Sequence, residues 1–128
     1  MSPTMQYALK NERTGETVAG KAVLASSPLT RMKGLLGRKT LPRDEAIILR
    51  PASSIHTHFM RFALDVIYLD SEGEILKIVP NLVPFRFSAA RRAHTVIEMV
   101  AGALSDKDLR VGDRLLFTSE LEDVSQRT

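Results

Sequence analysis

Three histidines, a run of arginines and a few carboxylates set among apolar residues are what this chain offers for chemistry. Most of that chemistry falls in Ile55-His56-Thr57-His58-Phe59-Met60-Arg61-Phe62-Ala63-Leu64-Asp65-Val66-Ile67-Tyr68-Leu69-Asp70. Polar groups embedded in apolar sequence are costly to bury unless they are paired, so they need a reason to be there. His-x-His on a strand sends two imidazoles from one face, a way to offer two ligands to one metal. Zinc needs three or four ligands, and His94, Glu98 or Asp65 would have to supply the third. None has a diagnostic spacing, so His56 and His58 remain weak metal candidates beside a reading in which they hydrogen-bond at a pocket edge.

Asp65, between Leu64 and Val66, must be hydrogen-bonded or ion-paired if it is buried. If 55–69 were one unbroken strand, Arg61 and Asp65 would lie about 13 Å apart along it and could not meet directly. Either the strand breaks near 59–63 or Asp65 finds another partner across the sheet.

Composition bounds the possibilities. The 128 residues suit one domain, with 44% hydrophobic and 26% charged content typical of a globular chain. No apolar run approaches the roughly 20 residues of a membrane-spanning helix. No export signal is visible at Met1-Ser2-Pro3-Thr4-Met5-Gln6, and a cytoplasmic location is expected. The absence of cysteine excludes disulfides, thiolate metal sites and a cysteine nucleophile. The net charge is +3, with Arg31, Lys33, Arg38, Lys39 and Arg43 grouped in a stretch free of acids. Without interleaved aromatics this cluster reads as solvated surface first, an anion site second, and nucleic acid as the least favoured partner. Gly-x-Ser-x-Gly, Walker and dinucleotide glycine motifs are absent. Gly34 within Gly34-Leu35-Leu36-Gly37 reads as a close-packing position, and Met32, Met60 and Met99 as core filler.

The elements that would position these residues are short. Tyr7–Lys10 and Thr17–Leu24 lean to strand around a turn at Arg13-Thr14-Gly15-Glu16. Ser27 as N-cap, Pro28 at the first position and the stripe Leu29, Met32, Leu35, Leu36 predict a helix over 28–37. Ala46–Leu49, Leu64–Leu69, Glu74–Val79, Leu82–Phe87, Thr95–Val100 and Arg114–Thr118 read as strands. Asp70-Ser71-Glu72-Gly73 is a hairpin loop, and Ala101–Leu109 holds a single helical turn. The pattern predicts a mainly β fold: an antiparallel β-sandwich or partly closed barrel with one or two short helices. The compact core spans about 17–118, with a flexible tail over 119–128.

Arg31-Met32-Lys33-Gly34-Leu35-Leu36-Gly37-Arg38 with Leu41-Pro42, then Ile55-His56-Thr57, Met60-Arg61-Phe62 and Leu64-Asp65-Val66-Ile67, resemble the signature of domain of unknown function family 192, the uncharacterised ancient conserved region proteins. Asp70 with Gly73, Pro84 with Arg86, Glu98 with Ala101-Gly102, and Gly112-Asp113 continue it in order. His58, Phe59 and Ala63 depart from it, standing where an aromatic, a glycine and a proline are commoner. The resemblance implies a compact β-rich fold and no established activity.

Three functions are compatible with these residues. The leading one is a binding module whose polar pocket is built from His56, Met60, Arg61 and Asp65, with Arg31, Arg86 and Glu98 near its rim. There Arg61 neutralises Asp65 or holds the carboxylate or phosphate of a small anionic ligand. The second is a metal-assisted hydrolase or isomerase using His56 and His58, with Asp65 or Glu98 as base. The third is a structural or interaction protein without a ligand. Whether the chain is an enzyme, and with what cofactor, is left open by the residues themselves.

Overall fold

The computed structural model describes residues 5–25, 39–58 and 60–119. Nine strands run in order as β1 (Gln6–Asn11), β2 (Thr17–Ala25), β3 (Glu45–Leu49), β4 (Ser54–His56), β5 (Leu64–Leu69), β6 (Ile75–Leu82), β7 (Phe87–Ala89), β8 (Thr95–Val100) and β9 (Leu115–Ser119). Seven of them form one curled, partly closed sheet in the order β6-β5-β8-β3-β2-β1-β9, and β4 pairs with β7 in a second, small sheet. Every pairing is antiparallel except β2 with β3, whose parallel register requires a crossover connection. The helix predicted over 28–37 would fall in that crossover, outside the described residues. Among the described residues there is no helix.

Strand β5 shows why the sheet curls around one core and is roofed on its other side. All six of its residues are buried, including Asp65. Ile67 and Leu69 point with Ile48, Ile97 and Met99 into the inside of the curl, where Leu9, Ala22 and Leu115 complete the cluster. Leu64, Val66 and Tyr68 point the other way, with Leu49 and Val96, against Ile55 of the small sheet, Ala90 just after it, and Met60 and Phe62. A strand covered on both faces carries a near-continuous apolar run rather than alternation, as Leu64–Leu69 does. The Tyr68 hydroxyl joins the layers by a 2.8 Å hydrogen bond to Ser88 Oγ. Burial pushes the Tyr68 phenol above its ordinary range, the Ser88 bond opposes this, and the charge of Glu98 adds to the rise.

The two edges of the large sheet, β6 and β9, meet at one end. Ile75 N–H donates to Asp113 O (2.7 Å), Gly112 N–H to Ile75 O (2.9 Å) and Leu115 N–H to Gly73 O (3.0 Å), around a bridge between Glu74 and Arg114. Gly73 is required here: its φ is +88°, and a Cβ would sit 2.9 Å from Leu115 O.

Two predicted elements differ. The helical turn predicted over Ala101–Leu109 is a chain of tight turns closed by Ala103 N–H to Val100 O, Ser105 N–H to Gly102 O and Lys107 N–H to Leu104 O. The extended run predicted over Leu82–Phe87 is split. β6 ends at Leu82, and Phe85, at φ +66°, turns the chain into β7. No helix among the described residues is long and apolar enough to cross a membrane.

Candidate functional site

Ser54-Ile55-His56-Thr57-His58 alternates strictly with its burial. Ile55 and Thr57 are buried, while Ser54, His56 and His58 are exposed. Opposite, Phe87, Ser88, Ala89 and Ala90 alternate in the same way, since His56 pairs with Phe87 and Ile55 with Ser88. Period-two alternation on a strand pair sends one set of side chains to the core and the other to solvent. Hence both imidazoles stand on the outer face of the roof, edge to face with ring centroids 5.3 Å apart. His58 meets Phe85 in the same way at 6.1 Å. Phe85 and Phe87 are 67% and 69% exposed, so apolar rings lie open beside the histidines.

Thr57 holds this arrangement together from beneath. Its hydroxyl donates to Val83 O (2.7 Å) and accepts Arg86 N–H (3.0 Å). Its backbone carbonyl accepts both Phe85 N–H (3.1 Å) and Met60 N–H (3.1 Å), and its own N–H donates to Arg86 O (2.8 Å). One buried threonine thus sets the 83–86 loop and the turn that leads to Met60. Residue type alone does not mark Thr57 for this role; the available signal is its place between two histidines in an alternating run.

The remaining candidates fall in three places. Met60 is half-buried and packs under the roof, and Arg61 is exposed one residue further on. Arg86 is exposed, and its Nη1 donates to Phe85 O (3.3 Å). Among the described residues His56, His58, Arg61 and Arg86 have no acidic partner. Asp65 lies apart from them. The chain does break between β4 and β5, but Arg61 is not the partner of Asp65. Asp65 Oδ1 accepts Asn81 N–H (2.9 Å), and Oδ2 accepts Gly102 N–H (3.0 Å) and Leu104 N–H (3.1 Å). Its backbone donors tie the end of β6 and the turn after β8 to β5. Glu98 is fully buried on the side of β8 that faces Tyr68. Arg31 lies outside the described residues.

Among the described residues no three His, Asp or Glu side chains come together as a metal site. His94 lies away from the roof, its N–H bonded to Leu69 O and its Nδ1 3.2 Å from Thr95 Oγ1.

A second carboxylate is as fully engaged as Asp65. Asp113 Oδ1 accepts Arg13 Nε (2.8 Å), and Oδ2 accepts Asn11 Nδ2 (2.9 Å), Arg110 N–H (2.9 Å) and Arg13 Nη2 (3.1 Å). The Arg13 guanidinium, then the Asn11 and Arg110 donors, hold the Asp113 carboxyl well below the usual carboxylate range despite burial.

The family model described as "Uncharacterized ACR", domain of unknown function 192, matches residues 9–117. The chain belongs to this family. A UPF0127 protein of Pyrococcus furiosus is 33% identical over 111 residues, covering 82% of this chain and 93% of the relative. One from Thermococcus kodakarensis is 29% identical over 112 residues, covering 84% and 71%. A candidate transcription regulator from Sinorhizobium meliloti shares the fold, with a TM-score of 0.75 at 24% identity, covering 90% of this chain and 94% of that one. A protein of unknown function from Novosphingobium aromaticivorans does so at 0.69 and 19% identity, covering 88% and 84%. The residues that carry the resemblance to this family sort into two kinds. Asp65, Gly102 and Gly112-Asp113 lock backbone, whereas His56, Arg61 and Arg86 face solvent.

Proposed function

We propose that this member of the uncharacterised ACR family is a binding module for a small anionic ligand with a flat apolar group. Its site is the outer face of the β4–β7 roof. The observation that carries this reading is the continuous edge-to-face row His56, His58, Phe85, flanked by exposed Phe87 and by Arg86, with no carboxylate spent on the cations among the described residues. The guanidinium of Arg86 would hold a carboxylate or phosphate in its planar fork, and Arg61 would add charge from the next turn. The imidazole N–H groups would donate to the same anion while the phenylalanine rings cover the apolar part. Asp65, Thr57 and Met60 would serve as the frame beneath.

The test is a titration of amide chemical shifts with phenyl phosphate, benzoate and inorganic phosphate. Saturable shifts at His56–His58 and Phe85–Phe87, strongest for phenyl phosphate and lost in Arg86→Ala, support the reading. Absence of any shift there would sink it and favour a purely structural domain. The pair of outward imidazoles also keeps the metal-assisted reading in view. Near-stoichiometric metal in tag-free protein, lost on His56→Ala, would bring that reading forward.

A further inference from the structure

A separate cleft of about 260 Å³ opens at one end of the curled sheet, lined among others by Arg50, Asp70, His94, Thr95, Leu115 and Phe117. Arg50 follows β3 and Thr95 begins β8, so neighbouring strand ends bring their side chains to the same mouth. Across the curl, Phe117 comes from β9, and the Arg50 guanidinium carbon lies 4.8 Å from its ring centroid. Tyr7 meets that ring edge-on, with centroids 5.9 Å apart. Arg50 is therefore placed by stacking, and its Nε–H is spent on Thr95 Oγ1 (3.2 Å). The same hydroxyl stands 3.2 Å from Nδ1 of His94, whose residue lines the same cleft.

What these contacts leave over is chemically specific. The two terminal nitrogens of Arg50 make no hydrogen bond or ion pair with any side chain among the described residues. Asp70 lines the same cleft; its Oδ1 accepts the Glu72 and Glu74 amides, while Oδ2 has no partner among the described residues. The mouth thus presents an oriented cation and a half-buried carboxylate oxygen, with Leu69, Leu115 and Phe117 as apolar floor and wall. Mouths of β-barrels are common ligand positions, and this volume lies just below the roughly 300 Å³ at which drug-sized pockets begin, a size for a small ligand.

We infer that this mouth binds a small zwitterion of the α-amino-acid type. Its carboxylate lies on the Arg50 terminal nitrogens and the His94 ring, its ammonium on Asp70 Oδ2, and a short apolar side chain against Phe117. A planar guanidinium suits a carboxylate better than a lysine would, and the Asp70 carboxylate at the same mouth selects against simple anions.

The probes are L-valine, isovalerate, which lacks the ammonium, and isobutylamine, which lacks the carboxylate. Amide shifts at Asp70–Gly73, His94–Thr95 and Phe117 are expected to saturate with valine and to require about tenfold more of either partial analogue. Arg50→Gln is expected to abolish the valine response. If that variant does not fold, His94→Ala, a change at an exposed residue, is expected to weaken it several-fold. No response to valine up to about 50 mM, beyond a millimolar Kd, overturns the inference. Equal binding of isovalerate overturns the zwitterion assignment, and unchanged valine affinity in both variants shows that Arg50 only plugs the mouth.

Discussion

Asp65 and the His56–His58–Arg86 row lie within one motif-bearing part of the chain and behave in opposite ways. The carboxylate is 2% exposed and accepts three backbone amides from two other segments, so its bonds are turned inward to the fold. The row is exposed, its rings touch one another, and its cations lack acidic partners among the described residues. The difference teaches that polarity in an apolar stretch has two separate uses here. A buried charge fastens backbone that strand pairing does not reach, and an exposed unpaired one is available to something outside. Asp113 belongs with Asp65, since it gathers Asn11, Arg13 and Arg110 where the sheet edges meet.

The contrast breaks first at Asp65. Asp65→Ala removes the acceptor of three amides and is expected to cost about 3 kcal/mol or more in denaturant unfolding. A loss below about 1 kcal/mol would return Asp65 to the list of ligand-facing groups. Asp113→Asn is expected to cost about 2 kcal/mol at neutral pH through weakened charge-assisted bonds. The Asp113 carboxyl is depressed in the fold. Its contribution is therefore complete above the unfolded value of about 3.9 and fades as pH falls below that towards the folded value. Melting temperatures of wild type and Asp113→Asn should accordingly converge below about pH 4 and stay apart above it.

Thr57→Val sits on the border between the two regions. It strips the Val83 carbonyl and the Arg86 amide of their side-chain partner, for an expected loss of about 1–2 kcal/mol. It should also weaken phenyl phosphate binding, because the loop carrying Phe85 and Arg86 loses its anchor. The smallest effects on stability belong to the row itself. Arg86→Ala and His58→Ala should each change unfolding free energy by no more than about 0.5 kcal/mol while removing the ligand response. A large destabilisation from either would move the row into the class of Asp65.

Much of the architecture was readable from residue order. Thr95–Val100 coincides with β8, and Leu64–Leu69 with β5, because β-branched and aromatic residues bounded by turn residues leave little choice. The Asp70–Gly73 loop was legible from its turn chemistry, and the open alternative of a partly closed barrel is the one observed. A break near 59–63 and a partner for Asp65 elsewhere are the two options the sequence leaves, and both are present, since β4 ends at His56, β5 starts at Leu64 and Asp65 bonds Asn81. Those partners were not legible, because they are backbone N–H groups. Every non-proline residue carries one, and nothing in residue type marks which will be in reach. The split at Phe85 was hidden for a related reason. A phenylalanine at positive φ is disfavoured locally, and it is held there by its N–H bond to Thr57 O.

Residue types and spacing by themselves determined most strands of the large sheet, the Asp70–Gly73 turn and the short list of groups able to act. They also determined that His56 and His58 would leave the same face, because alternation is a property of any strand. The tertiary structure alone decided which polar groups were consumed. It sent Asp65 to amides of β6 and the 101–104 turn, joined β6 to β9 around Asp113, and left Arg86 beside two exposed phenylalanine rings. The physical reason is that satisfaction of a polar group depends on donors brought close by the folded chain, often from distant sequence, and those distances exist only after the sheet has curled.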